Sequence, residues 1–170
     1  EPPMRDLQLD TLAGVLDGSI LVQNHCYRAD EMAMMIEMSH EFNYQITAFH
    51  HAVEAYKIAD LLADEGICGA LWADWWGFKH EAYDMVPANI AIVDQARGGT
   101  GCAIVHSDDE VGIQHLNQEA AKALIAGIRA GYDISKARAM RWITSNPAIA
   151  AGIFDQTGSI EVGKDADLVI

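Results

Sequence analysis

Short apolar runs alternate with helical segments along this chain, and three of the runs close on a histidine or an aspartate. Residues 19–25 (SILVQNH) end at His25, residues 45–51 (QITAFHH) at His51, and residues 101–108 (GCAIVHSD) at Asp108. Strand-like runs that each feed a helix predict a parallel sheet with crossover helices. In a parallel α/β barrel the carboxyl ends of all strands meet at one face, where chemistry is placed. Two imidazoles and a carboxylate brought to that face form a donor set suited to Zn²⁺, Mn²⁺ or Fe²⁺. Such a set fits metal-assisted hydrolysis.

The rest of the chain supports four such units. Leu7, Leu9, Leu12 and Leu16 recur at nearly helical spacing before Asp17-Gly18. Asp30 is placed to cap a helix running through Phe42, with Met32, Met35 and Ile36 on one face. A helix over residues 54–64 is closed by Gly66, and residues 67–72 (ICGALW) form a further strand candidate leading into the aromatic loop 74–79 (DWWGFK). Helices are expected over 88–96, 116–130 and 135–145, the last capped by Asp133. A doubly wound open sheet would show the same alternation. Ligand-type residues at the ends of several different strands favour the barrel rim. After Ile153, glycines and the pair Lys164-Asp165 punctuate short strand-like pieces, which predicts part of a small sheet.

Composition narrows the partners. With 170 residues, 51% of them hydrophobic, the chain has one domain's worth of sequence and ample core. A complete α/β barrel takes roughly 250 residues, so the expectation is a fragment or a truncated relative. A net charge of −14 with no basic cluster argues against nucleic acid and anionic membrane. No apolar run approaches the roughly 20 residues of a membrane span, and the opening EPPMRDLQLD is not a signal peptide. The compartment stays open between cytoplasmic and periplasmic or secreted. Cys26, Cys68 and Cys102 are an odd count without CxxC spacing, which predicts buried core cysteines and no disulfide framework or structural zinc.

Each ligand-type residue also has a structural alternative. His25 can cap the turn that follows it. In the His50-His51 pair, strand alternation sends one ring inward and the other toward the helices. Either Asp108 or Asp109 can cap the next helix. Arg28 and Lys79 can be solvated charges, Trp75 and Trp76 can pack under their loop, and Met32, Met34, Met35 and Met38 read as packing.

Four segments carry a specific resemblance: NHCYRADEM (24–32), AFHHAVEAYKIADLLA (48–63), WADWWGFKHEAYD (72–84) and AIVHSDDE (103–110). They resemble the second half of a metal-dependent amidohydrolase, closest to the imidazolonepropionase-like branch. The tail ITSNPAIAAGI (143–153) followed by GSIEVGKDADLVI (158–170) is similar to that superfamily's junction from the last barrel helix back to a small β-sandwich.

The resemblance implies the C-terminal half of a (β/α)8 TIM-like barrel, strands five to eight, over residues 1–152, with 153–170 as the return segment that starts the β-sandwich. It assigns the fifth-strand metal histidine to His25. The sixth-strand histidine falls on His51 rather than His50, because it stands three residues before Glu54-Ala55. The eighth-strand aspartate falls on Asp108, after Ser107, as both metal ligand and proton-transfer group. Tyr27, Arg28, Trp76 and Lys79 become candidate substrate contacts, with Trp75 beside them. The implied cofactor is a divalent metal, zinc first, one or two per complete site.

The expected partners are a small-molecule substrate, an N-terminal half of the barrel, and a second copy of the chain if the edges pair. The family's first-strand His-x-His pair and its fourth-strand bridging residue are absent, so the isolated segment is expected to be inactive. Residues 97–101 (RGGTG) are also longer and richer in glycine than the family's usual approach to its last strand. Two other readings remain at this level: a non-catalytic scaffold of the same fold, and an unrelated barrel lyase using its histidines as acid–base groups.

Overall fold

The computed structural model describes residues 4–168. Four parallel strands pair in chain order: β1 (Val22–Cys26), β2 (Ile46–His51), β3 (Cys68–Leu71) and β4 (Cys102–Val105). The register sets His25 opposite His50, His51 opposite Leu71, and Cys68 opposite Cys102. α1 (Leu7–Leu16) precedes the sheet. The crossovers are α2 (Ala29–Phe42), α3 (Ala59–Asp64) and α4 (Asn89–Gly99), and α5 (Leu116–Arg129), α6 (Lys136–Met140) and α7 (Ser145–Ala150) follow β4. This is a parallel α/β fold whose four strands are consistent with part of a TIM-like barrel.

Strand alternation divides the side chains between two faces. Phe49, Leu71 and Val105 point toward the helices, in a core with Met32, Ile36, Leu62, Ile90 and Trp142. Each large apolar side chain buried there contributes about 1.5–3 kcal/mol. On the opposite face Ala48, Cys68, Ala70 and Ile104 form a smaller cluster with Ala150 of α7. The same α7 residue accepts a hydrogen bond from Gln23 of β1 at 3.3 Å. β1 and β4 are the two edges of this sheet, so a helix that follows β4 and touches β1 lies across the face away from the crossovers. Asn146 fixes α7 to β4, donating to the Ala103 carbonyl at 2.7 Å.

The glycine-rich approach to β4 has a packing reason. Arg97, Gly98 and Gly99 have positive φ, so the chain turns out of α4 at its end. The Arg97 guanidinium pairs with Asp60 and Asp64. A Cβ at Gly101 would collide with the Val93 carbonyl, so only glycine lets the chain pass α4 into β4. Asp94 is fully buried and accepts from Arg138 and Trp142, while Arg138 also donates to the Gly99 carbonyl at 2.7 Å.

Several expectations are corrected here. Cys68 and Cys102 are bonded to each other, whereas no disulfide was expected from their spacing. They lie 34 positions apart in sequence, but parallel register sets them directly opposite on one face. Cys26 is the buried free thiol. Asp30 does not cap α2. It pairs with Arg28, and the Glu54 carboxylate accepts the Ala29 N–H instead. Ser135, not Asp133, caps α6, and the helix expected over 135–145 is broken into α6, a 3₁₀ turn and the start of α7. Met32 is buried and Met35 packs on the core, but Met34 and Met38 are exposed. Residues 153–168 form turns without a strand, and the last two residues of the expected β-sandwich segment fall outside the described residues.

Candidate active site at the carboxyl ends of the strands

Four histidines gather where the strands end. His25 and His50 come from facing register positions of β1 and β2, and their rings stack 5.3 Å apart. His106 arrives just past β4, its backbone N–H donating to the Leu71 carbonyl at 3.0 Å. Alternation sends His25 and His50 to the same face, and it should send His51 with Phe49 into the helices. It does not, because His51 adopts φ 69°. That left-handed turn, which costs a non-glycine residue roughly 1–2 kcal/mol, carries the His51 ring into the group. His51 is 4% exposed.

His51 Nε2 faces His25 Nδ1 at 2.6 Å, and His51 Nδ1 faces His106 Nε2 at 3.1 Å. Two ring nitrogens this close cannot both present lone pairs to each other. Each contact therefore holds one proton, donated by one ring and accepted by the other. Burial pushes the pKa of both His51 and His106 down to about 4, and the neighbouring imidazoles add to the effect, while Asp108 opposes it. The neutral ring is the form that ligates a metal.

The His50 tautomer follows from a hydrogen-bonded chain. The Gln23 amide nitrogen donates to the Ala150 carbonyl, which leaves Gln23 Oε1 to accept from His50 Nε2 at 2.7 Å. His50 therefore carries its proton on Nε2 and keeps Nδ1 as a base.

Aromatic rings wall the cluster. Tyr27 stacks on His51 at 4.9 Å, and Trp72 lies 5.0 Å from His51 and 5.7 Å from His106. Trp75 and Phe78 pack edge-on to Trp72. The Lys79 ammonium sits 3.9 Å above the Tyr27 ring and forms no ion pair among the described residues.

Against the residues singled out in the sequence, the structure brings His25, His51, Tyr27 and Lys79 together. Asp108 lies within electrostatic reach of His50, His51 and His106. Among the described residues, however, no three His, Cys, Asp or Glu side chains converge as a closed metal cage. Asp109 is occupied locally, accepting the Gly112 N–H at 2.5 Å, which leaves Asp108 as the acid without a capping duty. Arg28 is turned away into its pair with Asp30. Trp76 is 53% exposed, and of the two loop tryptophans Trp75 packs on Trp72, which stands against the histidines. Sequence reasoning gave His106 no role and treated one of His50 and His51 as structural. The available signals were the doublet itself and the position of His106 at the end of the same run as Asp108.

With this geometry in view, comparison with known proteins is informative. Residues 119–170 match the Amidohydrolase family. The amidohydrolase tasK of Hapsidospora irregularis is 31% identical over 170 residues, covering 97% of this chain and 16% of the relative. A solved amidohydrolase from Thermotoga maritima MSB8 superposes with a TM-score of 0.81 at 30% identity, covering 98% of this chain and 42% of that one. An adenosine deaminase from Xanthomonas campestris with bound zinc gives 0.66 at 21% identity, over 94% and 38% of the two chains, which shows the fold alone. The chain thus spans less than half the length of each of these relatives. The family match and the two amidohydrolases make the chain similar to members of the amidohydrolase superfamily, and the deaminase adds the fold alone.

Proposed function

We propose that the protein is a metal-dependent amidohydrolase, of the imidazolonepropionase-like branch, that hydrolyses a C–N bond in a small amide, cyclic amide or dipeptide-like substrate. The observation that carries this reading is the His25–His51 pair, whose Nδ1 and Nε2 turn toward one point at adjacent strand ends. The donors fit a borderline divalent cation, because both are imidazoles and His51 is held neutral. Zinc is the first choice among such ions because imidazole and carboxylate donors are its usual ligands at catalytic sites.

In this reading His25 and His51 hold the metal, with Asp108 as the further ligand from the β4 end. When bound, the ion supplies Lewis-acid polarisation of the carbonyl and an acidified water. Asp108 takes the proton from the attacking water and returns it to the leaving nitrogen, a general base that becomes the general acid. The walls of Tyr27 and Trp72 exclude bulk water from the reacting carbonyl. Lys79, over Tyr27 and without a carboxylate partner among the described residues, offers its charge to an anionic group of the substrate. In this reading an N-terminal half of the barrel pairs with the outer edges of β1 and β4, and residues 153–170 are the return segment toward a small β-sandwich.

The test is elemental analysis joined to an assay of the protein carrying both halves of the barrel against simple amides, cyclic amides and dipeptides, the segment 1–170 alone being expected to show no turnover. Stoichiometric zinc and zinc-dependent release of amine support the reading. Turnover by protein stripped of metal would favour the lyase-type alternative, and bound zinc without turnover on any of these would favour a scaffold.

A further inference from the structure

The ring of His51 joins the cluster only because its backbone is left-handed, and the next residue, Ala52, also has positive φ, at 29°. Neither residue is glycine, so something outside the turn has to hold it. The structure shows what does. The Ala52 N–H donates to the Cys26 carbonyl and the Glu54 N–H to the Tyr27 carbonyl, both at 3.0 Å, which ties the turn to the end of β1. From the other side, Asn89 at the start of α4 donates both hydrogens of its amide, to the Ala52 carbonyl at 3.2 Å and the Val53 carbonyl at 3.0 Å.

Asn89 is 2% exposed, and its Oδ1 has no protein partner. A buried amide whose acceptor goes unmatched is costly, so the pair of donors is what this side chain contributes. The opposite amide orientation would set Oδ1 against two carbonyls and is excluded by repulsion. We infer that Asn89 is a positioning residue for His51: by clamping the two carbonyls that follow, it keeps the left-handed turn and with it the ring nitrogen aimed at His25. The inference rests on the proposed role of His25 and His51 as metal ligands. It goes beyond that role by assigning their alignment to a residue on a different helix, one with no ligand chemistry of its own.

The test compares Asn89→Asp, which keeps shape but sets a carboxylate against the two carbonyls, with Trp142→Phe, which removes a buried hydrogen bond outside the site. Zinc affinity is measured by competition with a chelator. In metal-free protein, the ring nitrogens of His25 and His51 are followed by long-range ¹H–¹⁵N correlation. Asn89→Asp is expected to weaken zinc binding roughly 10- to 100-fold, the range for partners that orient a ligand, and to shift the His51 and His25 ring signals. Trp142→Phe should leave both unchanged while lowering thermal stability. Zinc affinity within twofold of the parent together with unmoved ring signals in Asn89→Asp would overturn the inference. So would an equal loss in Trp142→Phe, which would mark the effect as general destabilisation. A parent that binds no zinc defeats the proposed function instead, and the ring signals then decide the role of Asn89 alone. If Asn89→Asp does not fold, Asn89→Ser, which retains one donor, is read in the same two measurements, with an intermediate loss expected and parental values overturning the inference.

Discussion

His25 Nδ1 and His51 Nε2 lie 2.6 Å apart, although strict alternation along β2 would put them on opposite faces of the sheet. The contact exists because one residue, His51, leaves the strand in a left-handed conformation. Tyr27 and Trp72 wall the pair on one side, and in the proposed reading its two imidazole nitrogens share one divalent cation.

Removing either ring should therefore remove metal. His25→Ala and His51→Ala are each expected to cost at least 10-fold in zinc affinity, and the double variant should retain none after dialysis. Elemental analysis checks this. Stoichiometric zinc in the double variant would move the site elsewhere.

Asp108 and Asp109 should separate cleanly. Asp108→Asn keeps size but removes basicity, so turnover should fall about 10²–10⁴-fold, the range for a lost general base, with folding intact. Asp109→Asn weakens the hydrogen bond to the Gly112 N–H and should lower stability by about 1 kcal/mol with little effect on turnover. Steady-state rates and thermal melts of the two variants decide, and the opposite pattern would transfer the role to Asp109.

Thiol counting tests the link between β3 and β4. Denatured without reductant, the described chain should react at one thiol, Cys26, and after reduction at three. Closing a loop across 34 positions stabilises the native state by roughly 3–4 kcal/mol through chain entropy, so Cys102→Ala should melt well below the parent. Three reactive thiols in unreduced, denatured protein would contradict the bond.

These residues show what was legible in the chain and what was not. Strand ends at His25, His51 and near Asp108 were readable because apolar runs and helix periodicity are local. So was the parallel order, because each run feeds a helix. The Cys68–Cys102 bond was not, since it depends on the register of two strands. The joint arrival of His50 and His51 was not either: alternation predicts opposite faces, and the exception comes with a left-handed turn tied to the end of β1 and to Asn89, 37 positions beyond Ala52. Caps were misread for a related reason. Asp30 and Asp133 have the right type and place, but Arg28 claims Asp30 and Ser135 stands nearer the first helical turn. The glycine run 97–101 becomes intelligible only once α4 and β4 are seen to pass within contact distance at Val93.

Asp94 supplies the last prediction. Its carboxylate is fully buried and accepts from Arg138 Nε at 2.9 Å, Trp142 Nε1 at 2.8 Å and Gln95 Nε2 at 2.6 Å. Arg138 in turn donates to the Asp94 and Gly99 carbonyls, so one ion pair joins α4, α6 and the turn into β4. Breaking such a pair from one side leaves a buried charge unmatched and costs about 3–5 kcal/mol. Asp94→Asn is expected to fall in that range, because the amide offers a single uncharged acceptor to three donors. Trp142→Phe removes one hydrogen bond to a charged group and should cost about 1.5–3 kcal/mol. For a chain of this length each kcal/mol is worth roughly 2–4 °C, so Asp94→Asn should melt on the order of 10 °C below the parent. The pair should also be strongly coupled: Asp94→Asn combined with Arg138→Gln is expected to cost less than the sum of the two single changes. Urea titrations of the four proteins in the cycle measure this. Additive losses would mean that Asp94 and Arg138 act through separate contacts.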